Sequence, residues 1–159
     1  MDTSVTIIGL IITILIGIPL FYAMRSNSIN KAKTKEIMKN FSQNNRFNFE
    51  KTEKKKKKVL ALDKKNKGFL LIDFNSKEKE VVNFIDLNTV DSCKLAITAE
   101  GNSNTIEKID FEFLHKKDKK IETIPFYKIE NDQMGQVCLH EDHQLAKKWR
   151  EILQDCISS

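Results

Sequence analysis

The beginning of the chain constrains its architecture most strongly, because Thr3–Met24 contains no charged side chain. As a helix rising about 1.5 Å per residue, this stretch is long enough to cross the hydrocarbon core of a bilayer, about 30 Å thick. A buried helix of a globular domain is usually shorter and has a polar side. A cleaved signal peptide begins with basic residues and ends in small ones, whereas this chain has Asp2 and the bulky pair Phe21–Tyr22. We therefore expect residues 1–24 to be an uncleaved transmembrane anchor.

The residues after the apolar stretch predict its orientation. Basic side chains are concentrated just behind it, and only the α-amino group carries a positive charge before it. The positive-inside rule then predicts a single-pass protein of the inner (plasma) membrane, with the N-terminus outside and residues 25–159 in the cytoplasm. Residues 25–45 are expected to form a basic juxtamembrane helical stalk beside anionic phospholipid headgroups. The stalk residues expected to contact those headgroups are Arg25, Lys31, Lys33 and Lys35.

Composition restricts the compartment and the partners. The chain has 27 basic and 22 acidic residues, a net charge of +5, which suits an anionic partner. Its three cysteines, Cys93, Cys138 and Cys156, are scattered and form no CxxC pair, which favours a reducing compartment. Basic residues do not interleave with aromatic ones, so we expect no nucleic-acid partner.

From Arg46 onward the apolar residues alternate as they do in β-strands. Residues 46–51 read as a first strand, and residues 58–74 and 106–127 read as hairpins. At the end of the chain an apolar stripe at helical spacing, which includes Leu145 and Trp149, predicts an amphipathic helix over residues 140–157. Residues 46–159 are thus expected to form an α+β domain of about seven mainly antiparallel strands, closed by that helix.

This order of elements resembles the pleckstrin-homology-like roll or barrel, in which a helix closes a curled antiparallel sheet and Trp149 would lie in the core. The whole layout is also similar to small uncharacterised single-pass membrane proteins of the Bacteroidota type. They resemble this chain in a short anchor, a lysine-rich stalk, a segment like Leu60–Ile72 and a closing segment like Ala146–Trp149. The resemblance implies the fold and brings no assigned activity.

One short cluster has the composition of a metal site. Cys138, His140 and His143 place a thiol and two imidazoles within six residues, a set that can hold zinc or copper. The alternative is that both histidines are simply polar residues at a helix start, and no cluster supplies a fourth ligand. We predict no metal and no cofactor. Since no nucleophile motif and no glycine-rich phosphate loop occurs either, we do not expect an enzyme.

The lysine run is the best binding candidate. In pleckstrin-like domains basic residues of the first strands meet phospholipid headgroups, and the resemblance implies the same role here. The alternative is a solvated run that protects an edge strand against pairing. The five residues of the run are Lys54, Lys55, Lys56, Lys57 and Lys58.

The expected function is therefore that of a non-catalytic binding or scaffold module at the inner membrane surface. It would be integral to the lipid bilayer and would recruit a membrane-protein partner or bind anionic phospholipid headgroups. The alternatives are an accessory structural subunit of a larger membrane complex, or an enzyme whose site has no recognisable motif.

Overall fold

The computed structural model describes residues 3–42, 46–75, 80–99, 106–129 and 139–159. The chain divides into two compact units, Met1–Asn40 and Phe41–Ser159. The first unit is formed by helix α1 (Thr3–Phe41), which contains Pro19 in its interior. Seven large aliphatic side chains of α1, between Ile7 and Ile18, are exposed.

The apolar stretch is helical, but it does not form the predicted anchor. Within the described residues, no helix is long and apolar enough to cross a membrane. A spanning helix needs about 20 consecutive apolar residues, and the described part of α1 does not reach the combination of length and hydropathy that a span requires. The predictions of a transmembrane anchor over residues 1–24, and of a single-pass inner-membrane protein with its N-terminus outside and a cytoplasmic C-terminal domain, are therefore wrong.

The second unit contains seven antiparallel strands and a C-terminal helix. The first sheet has the order β1 (Lys51–Lys55), β2 (Lys58–Asp63), β3 (Gly68–Asp73) and β4 (Val81–Asp86). A turn of 3₁₀ helix, Leu87–Thr89, leads to the second sheet, which has the order β5 (Val90–Ala99), β6 (Ile106–His115) and β7 (Ile121–Lys128). Helix α2 (Leu139–Ser158) follows. The number of strands and the closing helix agree with the expectation from the sequence.

The predicted roll does not close into a barrel. The strands form two separate sheets of four and three strands, and no ladder joins the two sheets among the described residues. Helix α2 lies between the edge strands β1 and β5: Lys148 of α2 contacts Glu53 of β1, and Gln154 of α2 accepts a hydrogen bond from the backbone N–H of Cys93 in β5. A helix thus covers one edge strand of each sheet.

The first strand differs from its prediction. Residues 47–50 have no regular secondary structure, and β1 begins at Lys51. Phe47 instead packs on Phe84 of β4, with ring centroids 5.0 Å apart, and its ring lies 2.5 Å from the position that a Cβ at Gly68 would take. The alternation of residues 46–51 therefore reports a segment that covers the first sheet rather than a strand within it.

The core lies between the two sheets and α2. Phe69 of β3 is at its centre: its ring centroid lies 6.0 Å from those of Phe113 and Trp149 and 6.1 Å from that of Phe111. All four side chains are fully buried. Aromatic contacts at these distances add to the free energy gained by burying the rings, so Phe69 holds both sheets and α2 in one core.

The β2–β3 turn is organised by the buried carboxylate of Asp63. Its Oδ2 accepts a hydrogen bond from the backbone N–H of Asn48 at 2.6 Å, and its Oδ1 accepts one from that of Asn66 at 3.0 Å. Burial acts to raise the pKa of Asp63, but these amide donors outweigh it and hold the pKa below its ordinary value. The turn therefore sets the position of Lys64 beside α2.

Candidate functional site

Helix α2 lies along β1, and charged residues line both elements. On β1, Lys51, Glu53 and Lys55 are half-buried, whereas the residues between them are exposed. Because side chains of a strand alternate between its faces, these three share one face. On α2, Glu141, Lys148 and Asp155 recur every seven residues, close to two helical turns, and so share one side of the helix.

The signs of these two series are opposite, and two of the three pairs form. Lys55 Nζ lies 3.4 Å from Glu141 Oε2, and Lys148 Nζ lies 2.8 Å from Glu53 Oε2. The third combination, Lys51 with Asp155, forms no ion pair, and both residues line a cleft. Two strand residues advance about 6.7 Å, whereas seven helical residues advance about 10.5 Å. The two series therefore differ in spacing.

The structure divides the lysine run 54–58 among different environments. Lys55 and Lys56 approach Glu141 at 3.4 and 3.7 Å, and Lys58 pairs with Asp142 at 3.4 Å. Lys54 is exposed on the face of β1 that points away from α2, and Lys57 is exposed in the two-residue turn before β2. Three of the five ammonium groups thus pair with carboxylates of α2, and the lipid-binding role of the run stays a prediction.

The pair Lys58–Asp142 is buried. The side chains are 7% and 6% exposed, and Lys58 Nζ also lies 4.9 Å from the ring centroid of Phe126 and 5.8 Å from that of Tyr127. Burial raises the pKa of the neighbouring Asp73 above its ordinary value. Since an unpaired charge at such a depth is strongly unfavourable, this pair joins the start of β2 firmly to the first turn of α2.

Glu53 makes the second fixed contact between β1 and α2. Its Oε2 accepts hydrogen bonds from Lys148 Nζ at 2.8 Å and from the indole Nε1–H of Trp149 at 2.9 Å. Burial acts to raise the pKa of Glu53, but the two donors outweigh it and lower the pKa below its ordinary value of 4.5. The carboxylate therefore remains ionised and satisfies the indole N–H of the buried tryptophan.

Beyond these contacts, β1, the β2–β3 turn and the last turns of α2 enclose a cleft of about 430 Å³. Its walls are fixed by contacts between the turn and the helix: the Cys156 thiol lies 4.0 Å from the carbonyl oxygen of Lys64, and Lys67 Nζ donates to the carbonyl of Ile157 at 3.5 Å. Lys51 and Lys64 form no ion pair with a residue that the structure describes. The residues that line the cleft are Lys51, Lys64, Ile152, Asp155, Cys156 and Ser159.

The basic residues predicted in the stalk belong to α1. Lys31, Lys33 and Lys35 are exposed on this helix, and Arg25 lies within its bounds. They are part of the first unit, whereas the lysine run is part of the second. The structure therefore assigns the predicted lipid-binding residues to two separate units.

A threonine, a histidine and a glutamate line up on the surface in a way the sequence does not reveal. Thr89 Oγ1 lies 3.3 Å from His115 Nδ1, and His115 Nε2 lies 2.9 Å from Glu122 Oε2. In a catalytic triad the hydroxyl donates to the imidazole, but here the Thr89 hydroxyl donates to the carbonyl of Asp86 at 2.7 Å. Its proton is already committed, so this arrangement joins the 3₁₀ turn Leu87–Thr89 to β6 and β7 and does not activate a nucleophile.

The thiols of Cys93 and Cys156, the two cysteines that the structure describes, are both buried. Burial raises the pKa of Cys93 to about 12, and burial also raises the pKa of Cys156 above its ordinary value. Since the thiolate is the nucleophile and the metal ligand, both groups behave as small apolar side chains.

Three residues, Cys138, His140 and His143, had the composition of a metal site. Cys138 lies outside the described residues, while His140 and His143 occupy the first turns of α2. Burial and the charges of Lys147 and His140 lower the pKa of His143. Within the described parts of the chain, no group of three metal-ligating side chains comes together.

Sequence reasoning missed Lys51, Lys64 and Asp155. A signal was present: alternate residues of β1 carry charges opposite to those spaced seven apart on α2. This signal could not be used, because no local sequence pattern predicts that these two elements, almost 100 residues apart, are neighbours.

Comparison of the chain with protein-family models, with curated proteins and with solved structures finds no match. The resemblances inferred from the order of elements stay predictions, and the proposals below depend on the geometry alone.

Proposed function

We propose that the second unit is a non-catalytic binding module that recognises an acidic surface of a partner protein. The observation that carries the proposal is a concentration of lysines that form no ion pair with any described residue. They lie on β1, in the β1–β2 turn and in the β2–β3 turn. We call them the β1 lysine group. Its members are Lys51, Lys54, Lys57, Lys64 and Lys65.

Three of the acidic side chains near this group are already paired. Glu53 accepts from Lys148 and Trp149, and Glu141 and Asp142 pair with other lysines of the run. Asp155 lines a cleft with Lys51 and Lys64 without an ion pair to a described residue, so the five lysines of the group keep an excess of positive charge. An uncompensated positive surface attracts a negatively charged partner and accelerates its association.

The arrangement favours a protein partner over a lipid surface or a nucleic acid. Lys51 and Lys54 are an odd number of residues apart and thus lie on opposite faces of β1. A lipid surface contacts one face, whereas an acidic protein segment can follow the strand edge and reach both. Proteins that bind single-stranded nucleic acid present aromatic platforms, and no aromatic side chain is among the large exposed apolar residues that the structure describes.

Binding of a labelled glutamate-rich peptide by the full chain tests the proposal. The variant Lys54→Gln/Lys57→Gln/Lys65→Gln removes three charges of the group and leaves the cleft lysines in place. The matched control Lys94→Gln/Lys117→Gln/Lys120→Gln removes three exposed lysines from the second sheet and the β6–β7 turn. We expect the first variant to bind about tenfold more weakly and the control to bind as the wild type does, with affinities that fall as salt rises.

Equal peptide binding by both triple variants would overturn the proposal. Vesicles of phosphatidylserine, compared with vesicles of phosphatidylcholine, provide the second arm. Binding that depends on the β1 lysine group with anionic vesicles and not with the peptide would replace the protein partner by a lipid surface and would also count against it.

A further inference from the structure

We propose that the cleft beside the end of α2 is a binding site for a small anionic ligand that also carries a hydrogen-bond donor. We call it the Lys51–Lys64 cleft, after the two lysines that line it. Its volume of about 430 Å³ lies within the usual range for small-molecule sites. The inference does not depend on a protein partner, since the cleft can be occupied by a free molecule.

The anionic character of the ligand follows from the two lysines. Neither ammonium group has an ion-pair partner among the described residues, although Lys51 and Lys64 line the same concave surface. Lys55 of the same strand, by contrast, pairs with Glu141 at 3.4 Å. A carboxylate or phosphoryl group between the two ammonium groups would restore the missing pairing.

The hydrogen-bond donor follows from the groups on the helix side of the cleft. Asp155 presents a carboxylate that forms no ion pair with any residue in the described ranges. The Ser159 hydroxyl donates to the carbonyl of Cys156 at 3.0 Å, so its oxygen offers lone pairs to a ligand. The C-terminal end of a helix also favours positive charge. An anion without a donor would meet repulsion here, whereas an ammonium or hydroxyl group would be bound.

Between these two sides the cleft is partly apolar. Ile152 is half-buried, and the buried Cys156 is kept as a thiol because burial raises its pKa. A short aliphatic segment that separates the anionic group from the donor fits this lining. The combined chemistry is that of an acidic amino acid or a similar compound.

Glutamate and glutarate form a matched pair of probes, because they share a five-carbon dicarboxylate skeleton and only glutamate carries an ammonium group. Each is titrated into the full chain labelled with ¹⁵N, and amide shifts are followed at both lysines, Asp155 and Ser159. The variants are Lys51→Gln/Lys64→Gln, Asp155→Asn and the control Lys54→Gln/Lys57→Gln. All five changes are at exposed or half-exposed positions, so folding is expected to persist and is checked by thermal unfolding.

The wild type and the control are expected to bind glutamate saturably and more tightly than glutarate. Lys51→Gln/Lys64→Gln should weaken the binding of both probes more than tenfold. Asp155→Asn should bring the affinities of glutamate and glutarate together. These results would stand even if the glutamate-rich peptide were not bound through Lys54, Lys57 and Lys65, so the two proposals fail separately.

Three outcomes would overturn the inference: no saturable shift with either probe, equal binding of glutamate by Lys51→Gln/Lys64→Gln and the wild type, or tighter binding of glutarate than of glutamate by the wild type. The first two outcomes would show that the cleft is not a binding site for these probes. The third removes the hydrogen-bond donor from the ligand that we propose.

Discussion

A single carboxylate, that of Glu53, joins β1 to two consecutive residues of α2. It accepts from the exposed Lys148 and from the indole of Trp149, whose side chain is fully buried. The second contact is the more important for stability, because a buried N–H that loses its acceptor keeps the full cost of its desolvation. Asp63 has the same role in the β2–β3 turn, where it accepts from two backbone amides.

Replacement of Glu53 by alanine should lower the free energy of unfolding by about 1–3 kcal/mol, because the Trp149 indole N–H loses its acceptor. Glu53→Gln keeps an oxygen acceptor and should cost less. Glu50→Gln, at an exposed neighbouring position, is the control and should change little. Urea unfolding followed by tryptophan fluorescence gives these values; an alanine variant as stable as the wild type would contradict the assigned hydrogen bond.

The same carboxylate makes stability depend on pH. The pKa of Glu53 is lower in the folded state than its ordinary value of 4.5, so its stabilising contribution is fully present above that value. The contribution is lost as the pH falls through the folded-state pKa. The stability advantage of the wild type over Glu53→Gln should therefore shrink as the pH is lowered below about 4.5, and urea unfolding at a series of pH values measures it. A constant difference would contradict the direction of the shift.

At the scale of elements, α2 is held by charges at its first turns and by burial further along. Its apolar stripe, which includes Leu145, Trp149 and Leu153, lies in the core between the two sheets. Lys58 and Asp142 join the start of β2 to the first turn of the helix, because both are buried and the two charges lie 3.4 Å apart. The exposed pairs of Lys55 and Lys56 with Glu141 add little to stability.

Lys58→Met should destabilise the domain by about 3–5 kcal/mol, since Asp142 stays buried without its partner. Asp142→Leu should cost less, because the charge of Lys58 still interacts with Asp73, its cross-strand neighbour. The double variant should recover most of this loss. Glu141→Gln, which removes only exposed pairs, should cost less than about 1 kcal/mol. The measurement is a double-mutant cycle by urea unfolding, and additive single effects would show that the two charges do not interact.

At the scale of the whole molecule, the second unit contains a complete core. All of the buried residues in that core, from Leu60 to Ile157, belong to Phe41–Ser159. The segment that contains Phe47 covers the outer face of the first sheet and belongs to the same unit. A unit that buries its own apolar residues has what it needs to fold by itself.

Residues 41–159 alone should therefore fold cooperatively, with a midpoint of thermal unfolding within about 5 °C of the transition of the same unit in the full chain. Near-ultraviolet circular dichroism, which reports the packing of Trp149, follows both transitions. A broad transition, or loss of the near-ultraviolet signal in the shorter chain, would contradict this independence. The same material would also bind glutamate if the Lys51–Lys64 cleft acts as proposed.

Features with a local period could be predicted from the amino-acid sequence alone. Alternation of apolar residues located most strands, the composition of residues 63–68 located the β2–β3 turn, and the apolar stripe located α2 within about one residue of its observed ends. These features could be predicted because each depends on neighbours within a few residues. The transmembrane anchor was wrong because a stretch without charges is not sufficient evidence of a spanning helix.

Which distant groups come into contact depends on the tertiary structure. The lysine run reads as one basic feature, yet the turn at Lys56–Lys57 sends Lys55 and Lys58 to α2 and leaves Lys54 on the opposite face. The cleft lies where β1, the β2–β3 turn and the last turns of α2 come together, and its lining combines residues of all three. No local pattern specifies this placement.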